Sequence, residues 1–518
     1  MIRSNPKDHV KDGSYRKSNE DESDVIVVGT GIAGLSAALR LLQSNLSVCV
    51  VEKNDFVGGL SNYAIGLVTA AETSVQTRAG ISDSIDSFYH DLEKAYKNNG
   101  WPQLGNEPFL RKYAENSGRC VEWLMDIGVE FGGPIPEEHN QVPRRHSFIP
   151  NFRDSILTLR DKILELGGLL IYEFLAEHLT RNNEGAVDGV IGRDSKGMEK
   201  TLKCRTGIIL ATGPFNSNTK MIKELIPACD SVESLVPEIN GDGILMALDQ
   251  GADIADTDVL PIQLRFTGQR GRDGYISAKR KKSRKMPRGY HAEDVRRFSL
   301  FTAPSQRLFK LGAVLVDHSG SRFTNETTDS KSVSSKANQL HAKEAFAVFD
   351  QRLADKLNDW PNYISTFPAK GYAYLKDYEQ FENELLYRGN TIRELATKMH
   401  LNADIFAKNI EEYNRMASFG RDLVFGREKI VKVSVPPFYS MGPINPVLTT
   451  TIGGIRIDLE CRVLNTKGGI IPGLYAVGDG TAGALQVVPG SHIGWALVSA
   501  MTAAENIANS MQPKILTS

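Results

Sequence analysis

Between Asp24 and Glu52 the hydrophobic pattern changes period twice. Val25 to Val28 is an unbroken β-branched run, Leu35 to Gln43 is rich in Ala and Leu at helical spacing, and Ser47 to Val51 returns to a β-branched run. Apolar runs at this spacing predict a βαβ unit whose parallel strands are buried on both faces. The turn after the first strand is Gly29-Thr30-Gly31-Ile32-Ala33-Gly34, a GxGxxG motif. Its first glycine makes the tight turn, its second lets the backbone approach a pyrophosphate at the helix N-terminus, and its third lets helix and strand pack closely. Glu52 closes the second strand about 20 residues on, where an acid accepts hydrogen bonds from ribose hydroxyls. The unit therefore predicts a dinucleotide site.

Elsewhere the pattern is sparser. Apolar runs precede Ala211-Thr212-Gly213 and Gly478-Asp479-Gly480, and an Ala-rich stretch from Trp495 to Asn509 predicts a final helix. Met1 to Ser23 is polar and mixed in charge, which predicts a disordered tail with no secretory signal. Residues 268–298 carry Lys279-Arg280-Lys281-Lys282 and Arg284-Lys285 with little apolar periodicity. The plain reading is a solvated loop; the sharper one is a clamp for an anionic partner or substrate tail, with nuclear localisation a minor third. No run approaches the ~20 apolar residues of a membrane span.

At 518 residues and 57.1 kDa the chain has length for two substantial cores. A net charge of -1 gives no reason to expect nucleic acid as a partner. Five dispersed cysteines, Cys49, Cys120, Cys204, Cys229 and Cys461, lack CxxC pairing, which argues for reduced thiols in a cytoplasmic compartment and against a metal site. There is no CxxCH haem attachment, so electrons arrive by a route other than a fused cytochrome, and the electron acceptor is not named by the sequence.

Beyond Glu52, a second glycine pair in Val57-Gly58-Gly59-Leu60-Ser61 leads to Ala64-Ile65-Gly66-Leu67; Ile208 to Gly213 and Gly473 to Gly480 follow much later. These segments resemble the FAD-binding segments of flavoproteins. With Asn240-Gly241-Asp242-Gly243, Arg322-Phe323-Thr324-Asn325-Glu326 and Thr451-Ile452-Gly453-Gly454, the chain resembles the fumarate reductase flavoprotein and 3-ketosteroid Δ1-dehydrogenase superfamily from about residue 24 to about residue 508.

The resemblance implies an α/β fold: a Rossmann-like FAD-binding domain from residues 24–257 and 450–518, and an inserted α+β capping domain from 258–449. It implies FAD contacts at Gly29, Gly31, Ile32, Ala33, Gly34, Glu52, Lys53, Gly58, Gly59, Leu60, Ser61, Ala64, Gly66, Leu67, Ala211, Thr212, Gly213, Asp242, Gly478, Asp479, Ser491, His492 and Ile493. Leu60-Ser61 stands where covalently flavinylated members carry a histidine, which implies non-covalent FAD.

The catalytic positions depart from the pattern. Fumarate reductases grip two carboxylates with histidines and arginines and protonate carbon with a further arginine; the matching grip positions here are Gln263, Thr449, Thr450 and Val487, and the acid arginine falls near Ser330. A dicarboxylate would meet no cationic clamp. The tyrosine base of the ketosteroid dehydrogenases falls on Val487 or Val488.

Four residues remain as catalytic candidates. His492, at the start of the final helix, is acid, base or carbonyl donor, with helix packing or capping as the plain reading. Tyr63 offers phenol chemistry, with flavin packing as its plain reading. Arg265 and Arg145, the latter beside Arg144 and His146, offer an oxyanion site, with a surface ion pair as the plain reading. Tyr439 reads as a packing residue. The expected activity is desaturation of a C–C bond next to a carbonyl in a largely apolar small-molecule ketone. The alternatives are an enoate reductase using Arg265 or Arg145 and a catalytically silent FAD-binding protein.

Overall fold

A computed structural model describes residues 22–98, 106–236, 238–267, 302–366, 371–483 and 490–511. The basic segment 268–298, Val487 and Val488 lie outside the described residues.

The main sheet has eight strands. Its path runs Arg462–Leu464, Ile470–Ala476, Glu199–Leu210, Glu22–Val28, Val48–Val51, Leu169–Ile171, with Val187–Arg193 and Leu175–Arg181 added antiparallel beside Glu199–Leu210. Val25 to Val28 pair in parallel with Val48 to Val51 on one side and with Gly207 to Leu210 on the other. The β-branched runs are continuous because both faces of this parallel sheet are covered, and Val25, Ile26 and Val27 are fully buried. The crossover helix Ile32–Gln43 packs against the sheet and against the final helix.

Of the expected tail, residues 1–21 lie outside the described residues. Glu22 and Ser23 belong to the first strand and pair with Lys203 and Cys204. Arg205 pairs with both Glu22 and Asp24, and Asp24 accepts from the Ser47 amide at 2.8 Å. These polar contacts extend the strand past its apolar run.

A second sheet is built around the long strand Phe438–Leu448, which pairs with Ala345–Asp350, Ile262–Phe266, Leu386–Gly389 and Glu233–Ser234; Val314–Asp317 adds beyond Ala345–Asp350. Its hydrophobic cores draw on residues from Leu264 to Ile444, whereas the core under the main sheet draws on Val25 to Ile262 and Leu448 to Ile507. Glu233–Ser234 crosses this division, pairing in parallel with Val447 and Leu448. Tyr439 packs in this sheet, stacked on Phe349.

A third, antiparallel sheet is formed by Leu67–Thr69, Arg145–Ile149 and Glu130–Ile135, with Thr69 opposite Arg145. The C-terminal helix runs Ser491–Met511, longer at both ends than the apolar stretch alone predicts. Trp495 anchors it, fully buried, with its indole N–H on Thr481 Oγ1 at 3.1 Å. Among the described residues no helix is long and apolar enough to cross a membrane, and no His, Cys, Asp and Glu cluster is arranged to hold a metal. All five cysteines are free and buried, and burial pushes the Cys49 thiol up to about 12.

Candidate active site

The glycine turn forms a cradle at the start of the Ile32–Gln43 helix. Gly29 has φ of +105°, and a Cβ there would lie 2.5 Å from the Ala211 carbonyl oxygen, so strand and Ala211-Thr212-Gly213 meet through backbone alone. At Gly31 the surroundings are open: a Cβ would come no nearer than 3.6 Å, to Ser61 Oγ. A Cβ on Gly59 would meet nothing within 4 Å, and one on Gly213 only Ile239 at 4.0 Å. The helix N-terminus, with Ile32, Ala33 and the close-packed Gly34, faces this space, and N–H groups there favour an anion such as a pyrophosphate. Ser61 Oγ already accepts from the Ile32 amide at 3.0 Å.

Glu52 is 6% exposed. Burial raises its pKa, against the hydrogen bonds from the Thr30 hydroxyl and the Asn54 and Thr30 amides that hold it down. Beside it, Lys53 pairs with Asp242 at 2.7 Å, and Thr212 Oγ1 accepts from the Gly243 amide at 2.9 Å, so three separated segments form one rim. Gly58 opens the short turn Gly59–Tyr63 that holds Leu60 and Ser61; Ala64 and Gly66 lead from it into the strand at Leu67. Across the cradle, the Gly478 amide donates to Ser499 Oγ at 3.0 Å, which fixes Gly478-Asp479 against the C-terminal helix near Ser491 and Ile493. The open glycine edges, the buried acid and the helix N-terminus fit a dinucleotide, and FAD when bound supplies hydride chemistry.

His492 is held by Asp479, with Nδ1 3.0 Å from Oδ2 and the side chain 31% exposed. An imidazole oriented by a carboxylate in this way is an acid–base arrangement. Tyr63, 43% exposed, sits at the end of its turn. Burial of its hydroxyl and the nearby Glu238 raise its pKa, which makes it a poorer base.

Arg144, Arg145 and His146 correct the expectation of a surface ion pair. All three are buried, and acids from outside the strand meet the two arginines. Arg144 meets Asp83 at 2.6 Å and Asp91 at 2.5 Å. Arg145 pairs with Glu137, and its guanidinium lies 5.8 Å from the ring centroid of Tyr372, whose hydroxyl donates to the Pro136 carbonyl. Tyr372 packs with Tyr363 and Trp360. Glu137 also accepts from Thr69 Oγ1 at 3.3 Å, and the Thr69 amide donates to the Gly490 carbonyl. This chain from Tyr372 to the head of the final helix has no signal in residue spacing. His146 Nε2 lies 2.8 Å from Thr73 Oγ1, and burial lowers its pKa to about 4.

Arg265 lies on Ile262–Phe266, where alternation puts it on one face with Gln263. Gln263 Oε1 accepts from the Arg265 guanidinium and from Thr449 Oγ1, the latter at 3.0 Å. Thus two positions of the missing dicarboxylate clamp are hydrogen-bonded to each other. Burial lowers the Arg265 pKa to about 10, and the residue is partly exposed. Ser330 is exposed at the start of the helix Ser330–Asn338.

Comparison with known proteins agrees with this geometry. Vinyl phenol reductase of Lactiplantibacillus plantarum is 27% identical over 511 residues, covering 95% of this chain and 97% of that protein. A probable fumarate reductase of Shewanella frigidimarina is 27% identical over 472 residues, 89% of this chain and 70% of that protein. The open conformation of a flavocytochrome c3 fumarate reductase superposes with a TM-score of 0.74 at 25% identity, over 95% of this chain and 78% of that one. The 3-ketosteroid-Δ4-(5α)-dehydrogenase of Rhodococcus jostii RHA1 shares the fold, with a TM-score of 0.67 at 22% identity over 95% of this chain and 98% of that one. The FAD binding domain family matches residues 24–491, nearly the whole chain, so the protein belongs to that family and is an FAD-dependent oxidoreductase similar in sequence to the fumarate reductases.

Proposed function

We propose that the protein reduces a carbon–carbon double bond conjugated to an activating group, on a substrate other than a dicarboxylate. The observation that carries this reading is His492 held by Asp479 at the start of the C-terminal helix. Asp479 orients the ring, and with Nδ1 turned to Asp479 the proton passes through Nε2. Helix-start N–H groups favour negative charge at the same edge. The full-length likeness to vinyl phenol reductase supports the reductive direction, and Gln263 with Thr449 in place of the clamp argues against fumarate. Desaturation of an apolar ketone is the second reading, favoured by the same pair acting as base.

Anaerobic photoreduction of the flavin followed by mixing with alkenes and enones distinguishes the two. Reoxidation supports the reductase; bleaching of oxidised protein by saturated ketones supports the dehydrogenase. His492→Ala is expected to retain stoichiometric FAD and to slow the substrate half-reaction by ~10²–10⁴-fold, the range for a positioned acid or base. A fully active variant removes His492 from the mechanism. Non-covalent FAD follows from Leu60-Ser61: acid precipitation should release all colour to the supernatant, and a yellow pellet refutes it.

A further inference from the structure

Three side chains in one turn stand apart from the rest of the surface. Phe419, Leu423 and Val424 are 76%, 78% and 63% exposed, whereas no other large hydrophobic among the described residues exceeds 51%. Single exposed apolar residues are ordinary; the three most exposed ones falling within six positions are not.

The turn holds them outward. The helix Ala403–Ser418 ends in a Schellman turn, with the Arg421 amide on the Met416 carbonyl at 3.3 Å, the Gly420 amide on the Ala417 carbonyl at 3.2 Å, and Gly420 at φ of +68°. Asp422, which is buried, then accepts from the Val424 and Phe425 amides through Oδ1, both at 3.1 Å, and meets Arg322 through Oδ2 at 2.8 Å. The Arg322 guanidinium carbon lies 5.1 Å from the Phe425 ring centroid. Asp422 and Phe425 thus face the protein, while Phe419, Leu423 and Val424 face water. A backbone fixed in this way does not turn the three side chains inward, so they stay in water until another surface covers them.

The neighbouring charges name that surface. From Arg415 to Lys432 the exposed ionisable residues are Arg415, Arg421, Lys429 and Lys432 against Glu428 alone, four cations and one anion. Protruding apolar side chains flanked by cations match an anionic lipid surface, where the apolar groups enter the boundary between headgroups and acyl chains and the cations stay beside the phosphates. A protein partner fits less well, since a standard interface takes about 20–30 residues a side, and a fluid bilayer needs no complementary shape to receive a protruding turn.

We infer that the turn from Phe419 to Val424 is a docking surface for an anionic bilayer, which it enters through Phe419, Leu423 and Val424. Attachment is peripheral and reversible, because three side chains and four cations supply far less than a spanning helix. It does not depend on which way the flavin reaction runs.

The test is co-sedimentation of the full-length FAD-loaded protein with vesicles of phosphatidylcholine alone and of equal parts phosphatidylcholine and phosphatidylserine. Binding to the mixed vesicles is expected, and Arg421→Gln should weaken it by about 5-fold, the effect of one cation near an anionic surface. Leu423→Ser should weaken it by about 10- to 100-fold, the loss of one buried leucine, and leave FAD content and melting temperature unchanged because that side chain is in water in the free protein. No binding to the mixed vesicles, or equal binding to phosphatidylcholine alone, would overturn the proposal. Binding that Leu423→Ser and Phe419→Ser both leave unchanged would place adhesion on other cations of the chain and overturn it as well. A dimer that forms without lipid and dissociates in Leu423→Ser would make the turn an interface between copies, which also overturns it.

Discussion

Replacing Arg145 with methionine should destabilise the protein far more than its strand position suggests. Arg145 and Glu137 have side chains 4% and 1% exposed. Removing the guanidinium leaves Glu137 with Thr69 Oγ1 at 3.3 Å and Asn140 Nδ2 at 2.7 Å, both neutral, and His139 Nε2 farther off at 3.8 Å. Breaking a buried pair from one side costs about 3–5 kcal/mol, because the remaining charge stays in a poorly solvating interior. For 518 residues unfolding as one unit, an entropy of about 2.1 cal/mol/K per residue gives ~1.1 kcal/mol/K, so the melting temperature should fall by about 3–5 °C. Glu137→Gln should act alike by stranding Arg145. The double change removes both charges and should cost less than either single one, a non-additivity that isolates the pair. Flavin-fluorescence melting of the full-length holoenzyme measures all four proteins. Single changes that lower the midpoint by less than about 1 °C, or effects that simply add, would show that the pair is solvated and refute the reasoning.

Two further outcomes follow from buried ionisable groups. Glu52→Gln should weaken FAD binding by about 1.5–3 kcal/mol, the range for hydrogen bonds to a charged group, as read by the FAD dissociation constant; an unchanged constant contradicts a ribose contact. For His146 the folded pKa of about 4 lies below the unfolded value, so the folded state binds fewer protons, and stability is lost as pH falls from about 6.5 towards 4. The contribution reaches about 3 kcal/mol at the acid end of that window, and His146→Gln should flatten this part of the melting-temperature profile; an identical acid slope in the variant rejects the assignment.

Much of the cofactor cradle was legible in the sequence because its information is local. The βαβ unit from Val25 to Glu52 needs only two hydrophobic periods and glycines at fixed offsets, and the parallel pairing of Val25–Val28 with Val48–Val51 follows from them. The later flavin segments were recognisable for the same reason: each is a short backbone shape that few residues permit. The first strand nevertheless begins at Glu22, since ion pairs to Arg205, far along the chain, extend it where apolar pattern gives no signal.

Side-chain partnerships were not legible in this way. Arg144, Arg145 and His146 read as surface charge, and only the fold brings Asp83, Asp91 and Glu137 to them and lays Tyr372 over the guanidinium. Gln263 and Arg265 share a face by simple alternation, but the register of Ile262–Phe266 against Phe438–Leu448 is what delivers Thr449 to Gln263. Sequence determined the local shapes, whose energies depend on neighbouring residues. Which buried charges are compensated depends on distances between strands that only the tertiary structure sets.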